Sequence, residues 1–249
     1  MYQFFIEDEN AAEDFVTIEG SDVNHIKNVL RMKPGEKIRV CTRNGQNYFC
    51  SISDITESFV RADILEKEAE STELPCRIYL FQGLPKNDKM EWIIQKTVEL
   101  GVYEVIPVAM KNCVVKLDDK KAKSKVMRWQ AIAESAAKQS KRSLIPEVKM
   151  PMSYKEAVAY AKELDVKLVP YENEHGMAGT KAAMEQIKKG ESIAVFIGPE
   201  GGFAPEEIAL VQEEMQLISL GKRILRTETA GIAALAILSY QLESSDMIE

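Results

Sequence analysis

The sequence has few of the side chains that dominate metal sites. Only 2 histidines and 4 cysteines occur among its 249 residues. The cysteines, at positions 41, 50, 76 and 113, include no pair at the C-x-x-C spacing typical of zinc ligands. We therefore predict no metal site. In a chain of this size without a secretory signal, the cysteines are expected to be reduced and structural.

Long apolar runs are also missing. No segment approaches the roughly 20 apolar residues that a membrane-spanning helix requires. The N-terminal sequence MYQFFIEDEN lacks the basic and apolar regions of a signal peptide. Hydrophobic residues make up 45% of the chain, as in ordinary globular proteins. These features predict a cytoplasmic protein of one large domain or two modest ones.

Positive charge is not in excess, since the formal net charge is −7. This balance argues against a protein that binds nucleic acid non-specifically over its whole surface. Two runs of residues nevertheless oppose this trend. Residues 25–43 contain Lys27, Arg31, Lys33, Lys37, Arg39 and Arg43 against the single acid Glu36. Residues 111–142 contain ten basic residues against three acidic ones. Phosphate contacts need such clusters, although a solvated surface produces them too. His25 lies beside the first run, where an RNA contact and a structural role are equally open.

The first 70 residues have the pattern of a small β-barrel with one helix. Ser21 is predicted to cap a helix over 21–32. An Asn44-Gly45 turn joins predicted strands at 37–42 and 46–55, and a further strand covers 59–65. The charged segment 66–75 ends in proline and is predicted to be a linker. We accordingly place the domains at 1–70 and 75–249.

After residue 75 the pattern changes to alternating strands and helices. Strands are predicted at 77–82, 105–110, 166–171, 192–197 and 217–220. Helices are predicted at 89–100, 124–139, 155–164, 180–189, 205–215 and 229–242. Such alternation indicates a mainly parallel sheet with helices on both faces.

The strongest local motif follows the apolar strand 192–197. It consists of Ile197, Gly198, Pro199, Glu200, Gly201 and Gly202, and a helix begins at Pro205. Ligands of open parallel sheets bind at the carboxyl ends of strands, and glycines let a ligand approach the backbone. A tight connection without a ligand is the alternative. The motif is not G-x-G-x-x-G and lacks the lysine of a phosphate-binding P-loop.

A second motif joins the last strand to the last helix. It runs from Leu220 and Gly221 to Ala230 and includes Arg223, Arg226 and Glu228. Thr227 or Thr229 is predicted to cap the helix. Such a concentration of charge beside a glycine is typical of a ligand loop. A solvated turn with salt bridges explains the spacing equally well.

Together these motifs resemble the paired cofactor signature of the SPOUT methyltransferases. The likeness is greatest to the RsmE family, which methylates ring nitrogen 3 of a uridine in 16S ribosomal RNA. HIKNVLRMKPGEKI resembles the RNA-binding segment of that family, and 82–86, 95–102 and 128–140 with Arg142 and Pro146 resemble its central segments. The resemblance covers nearly the whole chain. One departure is Lys141, where a small residue is usual in the family.

The resemblance implies a SPOUT-type α/β domain with a C-terminal trefoil knot, preceded by a PUA-like RNA-binding barrel. It implies S-adenosylmethionine as the cofactor, without a metal. Homodimers form in this family through knot-side helices, and the apolar face of Ile232, Leu235, Ala236 and Leu238 fits such a contact or ordinary core packing. The partner implied is 16S rRNA of the small ribosomal subunit. The implied cofactor-binding residues are Pro170, Tyr171, Glu172, Ile197, Gly198, Pro199, Glu200, Gly201, Gly202, Leu220, Gly221, Ile224, Leu225, Arg226, Thr227, Thr229 and Ala230. The RNA-binding candidates are His25, Lys27, Arg31, Lys33, Arg39, Arg43, Lys86 and Arg142.

Methylation of uracil at nitrogen 3 requires removal of a proton and stabilisation of the resulting charge on the carbonyl oxygens. Arg223 and Arg226 are our candidates for that stabilisation. Glu200 or Glu228 is either the base or an orienting group. Two other functions remain open: a SPOUT enzyme with a different RNA target, and a non-catalytic RNA-binding or ribosome-assembly factor.

Overall fold

The computed structural model describes residues 1–68, 71–174 and 176–244. Two linker positions, 69 and 70, lie outside these ranges, as does His175, to which we gave no catalytic role. The chain divides into two compact units. The first consists of Met1–Glu73 and Ala137–Ile145, and the second of Leu74–Ala136 and Pro146–Glu249. The first unit therefore takes a short segment from the middle of the chain, which no boundary signal in the sequence indicates.

The first unit contains a curled five-stranded sheet in the order β1-β3-β4-β5-β2. Its strands are β1 (Tyr2–Ile6), β2 (Phe15–Glu19), β3 (Lys37–Thr42), β4 (Asn47–Ile55) and β5 (Phe59–Glu68). β1 pairs with β3 in parallel, and the other pairs are antiparallel. Two register shifts in the β4–β5 pairing bend the sheet around its apolar core. The pattern at β1 and β2 did not predict strands there.

The helix of the first unit is shorter than predicted. Helix α1 (Ser21–Asn24) continues as a π-helical turn over His25–Val29. Ser21 is the first helical residue and Gly20 occupies the capping position, so the predicted serine cap is wrong. The wider π-turn also shifts the helical phase, which leaves Val29 64% exposed although Ile26 is fully buried.

The second unit contains a parallel sheet in the order β12-β10-β11-β6-β7-β8, with β9 beside β7. Its strands are β6 (Arg77–Gly83), β7 (Val102–Ala109), β8 (Glu147–Val148), β9 (Met152–Ser153), β10 (Val166–Pro170), β11 (Ser192–Ile197) and β12 (Gln216–Ile218). Its helices are α2 (Lys89–Glu99), α3 (Asp119–Ser140), α4 (Tyr154–Ala161), α5 (Ala178–Glu185), α6 (Pro205–Val211) and α7 (Thr227–Ser244). The last residues of α3 belong to the first unit.

Helices cover both faces of this sheet, as the alternation predicted. On one face Phe81 and Phe196 stack at 4.4 Å between ring centroids, beneath buried residues of α4 and α6. On the other face α2 packs against α7, which contacts β6 and β11. Central strands buried on both sides explain the nearly continuous apolar sequence of β11.

Helix α7 distinguishes the two explanations offered for its apolar residues, and for two of them core packing is the correct one. Leu235 and Leu238 are fully buried in the chain, so they cannot belong to an external face. Ala236 is exposed and Ile232 is half-buried. Among the described residues, no helix is long and apolar enough to cross a membrane. All four cysteines are free.

Candidate cofactor and RNA sites

The two glycine-bearing motifs lie at one edge of the parallel sheet. β10 lies between β11 and β12 and pairs with both in parallel. The carboxyl ends of the three strands therefore lie at the same edge, and the segments 171–173, 198–204 and 219–226 leave the sheet there. This edge is where open α/β sheets bind ligands.

A direct hydrogen bond joins the two motifs. The Thr227 hydroxyl donates to the Gly198 carbonyl oxygen at 2.7 Å. The amide of Gln82, at the end of β6, donates to the same hydroxyl at 2.9 Å. Thr227 is the first residue of α7 and its side chain points to the other motif, so the predicted capping role is wrong for this residue. Thr229 lies inside the first turn of the helix and is exposed.

Close backbone packing explains one glycine outside the two motifs. A Cβ at Gly83 would lie 2.7 Å from the backbone nitrogen of Pro199 and 2.8 Å from its Cδ. Backbone atoms cannot move aside cheaply, so the end of β6 supports the glycine turn only because position 83 has no side chain. Sequence pattern alone gave no role to this residue.

The glycine turn also faces the end of β10. Gly202 has a φ of 65°, and a Cβ there would lie 3.6 Å from Oε1 of Glu172. The neighbouring Tyr171 donates its backbone N–H to the Ile218 carbonyl oxygen at 3.0 Å. Segment 171–172 is thus fixed between the turns that follow β11 and β12, with a carboxylate towards the glycines.

Lys89 is a site residue that sequence reasoning missed. Its Nζ lies 3.0 Å from Glu200 Oε1 and 3.1 Å from Glu228 Oε2, so one ammonium at the start of α2 bridges the two motifs. The Lys86 backbone N–H also donates to Glu200 Oε1, at 3.0 Å. The only signal was a lysine that begins a helix, which is too common to single out.

These contacts decide how Glu200 can act. Burial by itself would raise the pKa of Glu200, but the Lys86 N–H and the Lys89 ammonium outweigh it and hold the pKa below its ordinary value. The hydrogen bond to Glu200 likewise raises the pKa of Lys89. A carboxylate held ionised in this way is a poor proton acceptor near neutral pH. The geometry therefore favours the orienting role over that of a base.

The two arginines of the second motif differ from these fixed charges. Arg223 and Arg226 are both exposed. Within residues 1–68, 71–174 and 176–244, neither has a salt bridge or a side-chain hydrogen bond, and neighbouring Ile224 is 85% exposed. Both guanidinium groups are therefore available to a ligand.

The remaining predicted cofactor residues support the three turns. Ile197 ends β11 and is buried, as is Pro199. Gly221 has a φ of 110°, which a residue with a side chain rarely adopts. Pro170 ends β10, Leu220 and Leu225 are half-buried in the turn after β12, and Gly201, Thr229 and Ala230 complete the set.

The RNA-binding candidates of the first unit fall into three groups. His25, Arg31 and Lys33 are exposed. Lys27 forms an ion pair with Glu57, and Arg43 forms one with Glu7 at 3.1 Å. Such surface pairs are weak enough for a phosphate to replace the carboxylate.

Arg39 and Arg142 form the third group, and their surroundings correct their predicted role. Arg39 is 7% exposed, with Nε 2.5 Å from Glu68 Oε2. Arg142 is 3% exposed, and its guanidinium binds both carboxylate oxygens of Glu73, with Nε at 3.0 and 2.8 Å. Buried guanidinium groups engaged by carboxylates are not available to RNA, so both residues are structural. Lys86, in the second unit, is exposed.

The departure at Lys141 now has a structural explanation. This residue follows the last turn of α3 with a φ of 64°, in the left-handed region that favours glycine. The Lys141 ammonium donates to the Met1 carbonyl oxygen at 2.7 Å, which offers some compensation. Burial and the neighbouring Arg39 lower the pKa of Lys141.

Comparison with known proteins agrees with this geometry. Residues 72–239 match the model of an RNA methyltransferase domain, and residues 18–65 match that of an RNA methyltransferase PUA domain. The two matches define the class as an RNA methyltransferase with a PUA domain.

Relatives along the full chain narrow the class. The chain is 39% identical to ribosomal RNA small subunit methyltransferase E of Bacillus subtilis, over 98% of each chain. The structure of methyltransferase E from Neisseria gonorrhoeae, bound to S-adenosyl methionine, is similar at a TM-score of 0.83 and 33% identity, over 96% of each chain. The structure of a methyltransferase from Legionella pneumophila in complex with the bound cofactor SAM is similar at a TM-score of 0.82 and 31% identity, over 95% of this chain and 96% of that one. The chain belongs to the ribosomal RNA small subunit methyltransferase E family.

Proposed function

We propose that this protein transfers a methyl group from S-adenosylmethionine to ring nitrogen 3 of one uridine in 16S rRNA of the small ribosomal subunit. The observation that carries the proposal is the bond from Thr227 to Gly198, which brings the two glycine-bearing turns together at the ligand-binding edge of the sheet. Relatives that share the whole chain are named for methylation of small-subunit rRNA, and two solved neighbours hold the same methyl donor.

The residues at this edge fit the cofactor. The three turns present glycine backbone, and Glu172 provides a carboxylate without an ion pair or side-chain hydrogen bond among the described residues. Such an acceptor suits the hydroxyl groups of a ribose. We assign the cofactor to residues 170–172, 197–202, 220–221, 224–227 and 229–230, and we propose that the turns after β11 and β12 belong to a trefoil knot.

The mechanism assigns distinct roles to the charged residues. When bound, S-adenosylmethionine supplies an electrophilic methyl group. The exposed guanidiniums of Arg223 and Arg226 stabilise the negative charge that develops on the uracil oxygens as nitrogen 3 releases its proton to solvent water. Lys89 holds Glu200 and Glu228 in place, so the two carboxylates orient the turns around the reacting base. Positioning of this kind is the principal task in methyl transfer to a weak nucleophile.

The remaining surfaces suit an RNA partner and a second copy of the chain. The unit formed around residues 1–70 is proposed to grip RNA through His25, Arg31 and Lys33, with Lys27 and Arg43 available after exchange of their partners. On α7, Tyr240 is 74% exposed and lies one and two turns beyond Ala236 and Ile232. This apolar stripe on the helix that follows the second motif supports a homodimer. We propose that the dimer acts on ribosomal subunits in the cytoplasm.

The proposal is tested with small ribosomal subunits that lack the modification. Purified protein and S-adenosylmethionine labelled in the methyl group should transfer label to the rRNA, and mapping should place it on nitrogen 3 of a single uridine. Cofactor binding without transfer to any subunit would contradict it. Absence of cofactor binding, measured by calorimetry, would favour the non-catalytic RNA-binding factor.

A further inference from the structure

The second unit contains a cavity to which the cofactor assignment gives no role. Its volume is about 390 Å³, and it opens beside the carboxyl ends of β7 and β9. Leu84, Met110, Cys113, Val115 and Met152 form walls that are largely apolar. The volume falls within the range of small-molecule sites, roughly 300–1,000 Å³.

The glycine turn holds one wall of this cavity in place. The wall is segment 110–117, an irregular stretch between β7 and α3. The Asn112 side-chain amide donates to the carbonyl oxygens of Gly201 and Gly202, at 3.0 and 3.2 Å. The Lys111 backbone N–H donates to Glu207 Oε1 at 2.8 Å. In the strand order, β7 lies on one side of β11, while β10 and β12 lie on the other. The cavity therefore borders the glycine turn on the side away from the cofactor residues that follow β10 and β12.

Its rim carries positive charge. The Lys111 ammonium pairs with Glu206, but Lys116 is exposed and has no ion pair within the described part of the chain. Three residues further on, α3 begins at Asp119, with four lysines in its first seven residues, of which Lys121 pairs with Asp118 and Lys125 with Asp88. Apolar walls beside a free cation suit a group with a flat apolar face and an attached anion. A nucleotide has both, because its base stacks on apolar side chains and its phosphate binds ammonium groups.

We propose that this cavity holds a nucleotide of the RNA strand that flanks the methylated uridine, turned out of its stack. The base lies against Val115 and Met152, and Lys116 binds the phosphate. This inference rests on the proposed function and extends it to a second nucleotide. A flanking position follows because the assigned cofactor residues after β10 and β12 lie on the other side of the glycine turn.

Two substitutions test the inference. Val115→Trp fills the cavity, and Lys116→Ala removes the cation at an exposed position of its lining. Lys155→Ala is the matched control, because Lys155 is exposed on α4 near the cavity and does not line it. We measure kcat and KM for small ribosomal subunits that lack the modification, and the Kd for S-adenosylmethionine by calorimetry. Val115→Trp should raise the KM at least tenfold and Lys116→Ala about fivefold, in line with the loss of one stacked base or one phosphate contact. The control should stay within twofold, and the cofactor Kd should not change in any variant.

Each result has one meaning. Suppose that the wild-type protein methylates subunits and that both variants have the wild-type KM for them. The cavity then does not bind RNA, while the proposed function stands. If Val115→Trp also weakens cofactor binding, the tryptophan has disturbed the fold, and Lys116→Ala alone decides. If the wild-type protein binds cofactor but methylates no subunit, the proposed function fails and this inference with it. An equal rise in KM for Lys155→Ala would show only general charge attraction and would overturn the cavity assignment.

Discussion

The two compact units use the same side chain in opposite ways. In the first unit, Arg142 is 3% exposed and lies in a forked contact with Glu73. In the second unit, Arg223 and Arg226 are exposed and have no acidic partner among the described residues. All three belong to basic stretches that suggest RNA or ligand contacts when only the sequence is considered.

The difference shows what determines whether a cation serves the fold or the ligand. A guanidinium that is buried with a carboxylate has lost its water and gained one fixed partner, so removal of either group leaves an unpaired buried charge. An exposed guanidinium beside a glycine turn has no acidic partner, so it can bind a ligand that enters the site. Arginines of the first kind should therefore affect stability, and those of the second kind activity.

The largest expected effect is on the stability of the first unit. Arg142→Ala removes the guanidinium from the Glu73 carboxylate, which is 19% exposed and keeps the hydrogen bond from the Ser143 N–H. Removal of one member of a fully buried pair costs about 3–5 kcal/mol, so we expect a loss near the lower end, about 3 kcal/mol. Urea denaturation should report this loss in the free energy of unfolding. Arg43→Ala is the control, since its pair with Glu7 is exposed and such pairs contribute about 0–1 kcal/mol. Equal losses in the two variants would contradict the comparison.

Arg226→Ala should show the reverse behaviour. Loss of a group that stabilises charge in the transition state lowers kcat by roughly 100- to 1,000-fold. The melting temperature should not change, because Arg226 makes no contact that the fold requires. Turnover on unmodified small subunits is the measurement. Lys222→Ala removes a charge from the same turn and should lower kcat less than tenfold. Wild-type turnover by Arg226→Ala would remove Arg226 from the mechanism.

The elements that sequence predicted well are those with strong periodicity. Strand 192–197 was placed correctly because a strand buried on both faces is almost wholly apolar. Both glycine motifs were recognised from local composition, whereas their pairing at one site was predicted only from the resemblance to the SPOUT methyltransferases. β1 and β2 were missed because each is short and its strand partner is distant in sequence.

What the sequence could not show depends on contacts between distant segments. Lys89, Glu200 and Glu228 come from three separate elements, and no local pattern indicates that one ammonium would bridge two carboxylates. The burial of Arg142 likewise depends on a segment, 137–145, that joins a unit to which it is not adjacent in the chain. Charge spacing identifies a basic run, but only packing decides which of its members face solvent.

A smaller effect is expected where the second unit depends on backbone contact. Gly83→Ala places a methyl group 2.7 Å from the Pro199 nitrogen, so the glycine turn must move. Overpacking of this kind typically costs about 1–3 kcal/mol. Both the free energy of unfolding and the affinity for S-adenosylmethionine should fall. Gly179→Ala is the control, because Gly179 lies in helix α5 with open space around its Cβ position. Unchanged cofactor affinity in Gly83→Ala would mean that β6 does not support the turn.

The smallest expected effect is on the pH dependence of stability, through Glu200. Because the pKa of Glu200 is depressed in the folded protein, its contribution to stability is complete above its ordinary value of 4.5. That contribution is lost as the pH falls below 4.5 and through the folded pKa. Glu200→Gln should therefore lower the melting temperature at pH 7, and the gap between variant and wild type should narrow in more acidic buffer. Glu213→Gln, an exposed control in the turn after α6, should show no such narrowing. If the difference in melting temperature between Glu200→Gln and wild type does not change with pH, the contacts of Glu200 with Lys86 and Lys89 do not stabilise the ionised carboxylate. The ion pairs through Lys89 would then not stabilise the contact between the two motifs.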